Sequence, residues 1–143
     1  MLSSLPTMDQ LQLVISQAAA PAFVLGAVTS FLSLLLSHMG RIIDRSRAIH
    51  DLAEGDPKKE QLKAQLPQLR LRARMLHRAI YLAVGSGIVT CLLMIAAFAS
   101  AYFGVRHEPG AGVLFTAALG LFTAALVSFA REVGIALKHP EAD

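Results

Sequence analysis

Not one Asp, Glu, Lys or Arg occurs between Asp9 and Arg41, between Arg78 and Arg106, or between Glu108 and Arg131. Of 143 residues, 16% are charged and 55% hydrophobic, against about 25% and roughly 45–50% in an average soluble domain. The mean hydropathy is +0.55. One small core could not bury three uncharged runs of that length, which excludes a soluble α/β enzyme and a nucleic-acid-binding domain. A single cysteine, Cys91, leaves no partner for an intrachain bridge and excludes a disulfide scaffold. The five histidines, His38, His50, His77, His107 and His139, have no metal-ligand spacing. Phosphate-binding glycine loops, triad patterns and carboxylate pairs are missing as well. We therefore expect no cofactor, no metal and no enzymatic activity.

What is present is three runs long enough to cross a bilayer core of about 30 Å, which takes roughly 20 apolar residues. The first runs from Ala18 to Met39, with Pro21 expected in its first turn, where a missing N–H costs nothing. The second runs from Ala79 to Phe103. Tyr81 and Tyr102 bracket it roughly 31 Å apart at 1.5 Å per residue, matching the headgroup boundaries that tyrosine favours. The third, Ala111 to Ala130, follows a Glu108-Pro109-Gly110 turn. The expected fold class is all-α, an integral membrane protein with three transmembrane helices.

Basic residues orient it. None precedes the first span. Ten lie between spans one and two: Arg41, Arg45, Arg47, Lys58, Lys59, Lys63, Arg70, Arg72, Arg74 and Arg78. The second loop holds only Arg106, and the tail Arg131 and Lys138. The positive-inside rule then puts the N-terminus outside and the C-terminus in the cytoplasm. It also makes anionic lipid headgroups, rather than nucleic acid, the partner of this excess. The first seventeen residues have no basic n-region and read as an extracytoplasmic segment with a short amphipathic helix, not as a signal peptide.

Between the first two spans a cytoplasmic helical hairpin is expected. The first helix continues to about residue 53. Gly55, Asp56 and Pro57 supply a helix end, an N-cap and a first position. The return helix runs over 54–78, kinked at Pro67. Its Leu62, Leu66, Leu69, Ala73, Leu76 and Ile80 form a heptad-like seam that needs a partner, either the outgoing helix or a neighbouring subunit. The second span covers 79–105, the outer loop and third span 106–131, and the tail 132–143.

Inside the membrane, Gly26, Ser30, Ser33, Ser37, Gly40 and Asp44 repeat on one face of the first helix, with Thr29 and Arg41 beside them. Such a face either packs on another helix or lines water. In a ring of several copies, Ser30, Ser33, Ser37 and Arg41 would line a pore. Gly112, Thr116, Gly120, Ala124 and Ser128 recur every four residues on the third helix, a small-residue stripe expected to pack against another helix and to favour homo-oligomers. Ala83, Gly87 and Cys91 share that spacing on the second, and Cys91 reads as a small packing residue. At the inner boundary Asp44, Arg45, Arg74, Arg78, Arg131 and Glu132 are expected to form an ion-pair belt, with Asp44 and Glu132 as its acids. His38 and His77 are expected at the same boundary, as interfacial polar residues.

Pro21-Ala22-Phe23, Arg41-Ile42-Ile43-Asp44-Arg45, Arg72-Ala73-Arg74, Arg78-Ala79-Ile80 and Arg131-Glu132, in that order over residues 10–137, resemble a bacterial membrane family known as "domain of unknown function 2721". The resemblance implies a small three-helix inner-membrane protein and carries no catalytic or binding residues. The residues themselves lead us to expect a homo-oligomeric inner-membrane ion channel lined by the first helix, anion-preferring if Arg41 faces the path. The alternative is a non-conducting adaptor or signalling protein that docks partners through the hairpin seam.

Overall fold

A computed structural model describes residues 7–105 and 108–138, so Arg106, His107 and His139 lie outside the described residues. The described chain is helical throughout: α1 Met8–His50, α2 Pro57–Lys63, α3 Leu66–Phe103 and α4 Glu108–Lys138. Three of these, all but α2, are long and apolar enough to cross a membrane. At 1.5 Å per residue α1 measures roughly 64 Å and α3 roughly 57 Å, about twice the thickness of a bilayer core.

Helix α1 starts at Met8, so the amphipathic segment before Ala18 is continuous with the first span. Thr7 caps it, its backbone N–H donating to Gln10 Oε1 at 3.2 Å. Pro21 consequently sits deep inside α1 and is buried, rather than opening a span. It removes one backbone hydrogen bond, a loss that long apolar helices absorb through local adjustment. The turn after His50 follows the sequence. Gly55 adopts φ +91°, Asp56 Oδ1 accepts from the Lys58 backbone N–H at 3.0 Å, and Pro57 opens α2.

Pro67 does not kink a helix. Its ring would clash with the turn before it, and the chain instead breaks at Ala64–Gln65, so that Pro67 falls in the first turn of α3. At the far end Gly104 takes φ +67° and the Val105 N–H reaches back to the Ser100 carbonyl at 3.1 Å. This is a left-handed glycine closure of α3. The reversal thus begins at Gly104, and Glu108-Pro109-Gly110 is the first turn of α4, where proline is favoured.

Helix α3 lies between α1 and α4, which touch each other far less than either touches it. The buried face of α1 is Val28, Phe31, Leu35, Met39, Ile42 and Ile49. On α3 it is Leu69, Leu76, Ala79, Ala83, Ser86, Thr90 and Leu93. α4 contributes Ala118, Ala125 and Glu132. Phe31 closes the α1–α4 side, edge-on to Phe122 at 5.7 Å and to Phe129 at 5.6 Å. The hairpin seam has found its partner within the subunit. Leu69 and Leu76 are buried in one cluster with Ile42 and Ile49 of α1, with Leu62, Leu66, Ala73 and Ile80 packed against it.

Candidate functional site

The serines of α1 lie on the side away from the core. At roughly 100° per residue, Gly26, Ser30, Ser33, Ser37 and Asp44 fall within one narrow arc, about half a turn from Val28, Leu35, Met39 and Ile42. Ser30, Ser33, Ser37 and Arg41 are all exposed. A methyl group added at Gly26 or Gly40 would meet nothing within 4 Å, so no part of the subunit covers this face. Two of its hydroxyls are satisfied locally. Thr29 Oγ1 donates to the Leu25 carbonyl at 2.9 Å and Ser33 Oγ to the Thr29 carbonyl at 3.2 Å. Ser30 and Ser37 make no side-chain hydrogen bond among the described residues.

The small stripe of α4 is also left open. Gly112, Thr116 and Gly120 are exposed, Ala124 and Ser128 half-buried, and the Thr116 and Ser128 hydroxyls bond back to Gly112 and Ala124 at 2.9 Å. Within the subunit α4 packs through Ala118, Ala125 and Glu132, seven residues apart. A step of four drifts about 40° on a helix and a step of seven only about 20°, so the sevenfold row holds one face while the fourfold row wanders off it. The outer part of the stripe, Gly112, Thr116 and Gly120, therefore faces away from the chain's own described helices, and only Ala124 and Ser128 approach them.

Of the belt residues, Glu132 alone is drawn inside. It is 1% exposed, and its Oε1 accepts from Arg72 Nε at 2.7 Å. Its second oxygen, Oε2, is buried without a partner. Arg72, which precedes the second span beside Arg74 and Arg78, is thus the arginine that holds it. Arg45 donates to Gln65 Oε1 at 3.2 Å. Asp44, Arg74, Arg78 and Arg131 are exposed and form no ion pair among the described residues. The belt is one part-buried pair with exposed charges around it.

Cys91 is exposed rather than buried, on the α3 side of an open groove shared with α1. The packing groups of α3 are Ser86 and Thr90. Ser86 Oγ donates to the Ala118 carbonyl of α4 at 2.7 Å, and Thr90 Oγ1 to the Ser86 carbonyl at 2.8 Å, both fully buried. His38 is half-buried with its ring 5.3 Å from that of Phe129, while exposed His77 lies 5.5 Å from Tyr81. No three His, Cys, Asp or Glu converge as a metal set among the described residues.

An all-α chain with three helices long and apolar enough to cross a membrane, a part-buried arginine–glutamate pair at their charged end and an uncovered hydroxyl face defines the class: a small multi-helix protein of membrane type. The family described as Protein of unknown function (DUF2721) matches residues 18–141, most of the chain, and the protein belongs to that family. No curated protein and no solved structure matches the chain.

Proposed function

We propose that the protein is a homo-oligomeric channel of the inner (plasma) membrane, in which several copies of α1 turn Ser30, Ser33 and Ser37 toward a central path with Arg41 at its cytoplasmic mouth. The observation that carries this reading is the exposure of the serine face on the side of α1 opposite α3. Three spanning helices are too few to enclose a path, so a route through the protein needs further copies. Rings of hydroxyls substitute for part of an ion's hydration shell, and Arg41 favours anions. Asp44 follows one turn below and tempers that preference. The basic residues clustered on the hairpin and tail support an orientation with both on the cytoplasmic side and the N-terminus outside.

The test is ion flux into proteoliposomes. The parent chain is expected to pass chloride faster than sodium. Ser33→Leu and Ser37→Leu, on an exposed face, are expected to cut flux at least tenfold while leaving the oligomer mass in detergent unchanged. A monomeric parent, or flux indifferent to both substitutions, contradicts conduction through this face. The adaptor reading has less support, because Leu69 and Leu76, the seam residues it would use, are buried against α1.

A further inference from the structure

We propose that the face of α3 between the charged and apolar zones is a binding site for an anionic phospholipid, with the headgroup on Arg74 and Arg78 and an acyl chain in the groove between α1 and α3. Arg70, Arg74, His77, Tyr81, Val84, Ile88 and Leu92 follow one another at spacings of three or four and are all exposed. They form one line along the helix that changes from basic through aromatic to apolar. Arg78 stands one turn from Arg74, also exposed.

Two features give the line a ligand of definite chemistry. The first is charge: α3 contains no Asp or Glu from Leu66 to Phe103. Arg72, on its opposite side, is neutralised by Glu132, whereas Arg74 and Arg78 have no acidic partner among the described residues. Two guanidiniums one helical turn apart suit a phosphate, which accepts their forked donors. The second is shape. Directly along from Tyr81, Leu25 and Leu32 of α1 and Val84, Ile88 and Leu92 of α3 line an open apolar groove of about 370 Å³. Gly87 forms its floor, where an added methyl would stand 3.6 Å from Val28 Cγ1.

The lengths agree as well. Tyr81 to Leu92 spans roughly 16 Å at 1.5 Å per residue, about half of a 30 Å hydrocarbon core and hence one leaflet. Tyrosine at the boundary fixes the depth. A free phosphate would use the arginines and leave the groove unused, so the occupant is a lipid of the leaflet on the basic side. This site rests on insertion of the three helices into a bilayer and is independent of conduction.

The experiment is native mass spectrometry of the detergent-solubilised full chain, delipidated and offered equal phosphatidylglycerol and phosphatidylcholine of identical chains at low ionic strength. The parent is expected to retain phosphatidylglycerol in clear excess. Arg74→Gln with Arg78→Gln should lower the ratio of the two lipids by roughly 30-fold, the combined attraction of two basic residues near a headgroup. Gly87→Leu, which fills the groove, should reduce retention of both lipids several-fold. Inorganic phosphate in large excess should not displace the lipid. Equal retention of the two lipids by the parent, a ratio unmoved by the double substitution, undiminished binding to the filled groove, or displacement by phosphate would each overturn the site. A chain that stays soluble without detergent would instead overturn insertion itself.

Discussion

Arg72 and Glu132, separated by 60 positions in the chain, meet across α3 and α4 with 2.7 Å between Nε and Oε1. The carboxylate is 1% exposed and the arginine side chain 21%, so solvent reaches the pair from one side only. Removing the cation strands a buried charge whose second oxygen already has no partner. We therefore expect Arg72→Met to destabilise the helical assembly by about 3 kcal/mol. Arg72→Met with Glu132→Leu should recover most of that loss. Denaturant unfolding in micelles, read as a double-mutant cycle, measures both, and additive effects would show that the pair does not couple the helices.

Ser86 makes the hydroxyl contact that joins α3 to α4 in the apolar zone, donating to the Ala118 carbonyl. Interhelical bonds of this kind contribute about 0.6 kcal/mol on average in membrane proteins. Ser86→Ala should accordingly cost less than about 1 kcal/mol, because the Ala118 carbonyl keeps its own helix partner. Ser86→Leu should cost several times more, since Ser86 is fully buried and the added volume forces α4 away. The same unfolding assay, with mobility of the folded form, tells the two apart.

The hairpin seam gives a paired prediction. Leu76 is fully buried and Leu71, on the same helix, is 42% exposed. Leu76→Ala should destabilise by about 2–5 kcal/mol and Leu71→Ala by no more than about 0.5 kcal/mol. Equal effects would mean that the seam does not close on α1.

Gly55 holds φ +91° in the turn before α2. Gly55→Ala should cost about 1 kcal/mol, because a Cβ disfavours the left-handed region. Gly110→Ala, in the first turn of α4 with open space around it, should stabilise by a few tenths of a kcal/mol. Opposite signs in thermal unfolding check both.

Much of the architecture was legible because bilayer thickness and helical rise leave few alternatives. The uncharged runs, the Gly55-Asp56-Pro57 turn and the Leu69–Leu76 seam all appear where patterning puts them. Proline misled twice, since its local rule permits a helix start or a kink and only the neighbouring helices decide. Pro21 is absorbed inside α1, and Pro67 opens α3 after a break. The packing face of α3 was missed for a geometric reason. Ala83, Gly87 and Cys91 attract notice at steps of four, yet that row drifts about 40° per step. The row that stays on one face, Ala79, Ala83, Ser86, Thr90 and Leu93, continues the heptad seam of the hairpin and could have been followed upward from Leu76. Glu132 was recognisable as a pairing acid, but several arginines competed for it, and sequence spacing holds no information on which of them lies across the helix interface.

The most direct test of the account replaces Ser33 by cysteine in a Cys91→Ala background and oxidises the protein in membranes. If sister copies of α1 converge through their serine faces, Ser33→Cys should form a covalent dimer in high yield, and Val28→Cys, buried against α3, should form none. A Ser33→Cys protein that remains a monomer under oxidation and reacts only with lipid-soluble thiol reagents would show that this face meets acyl chains, contradicting both the assembly and the channel built on it.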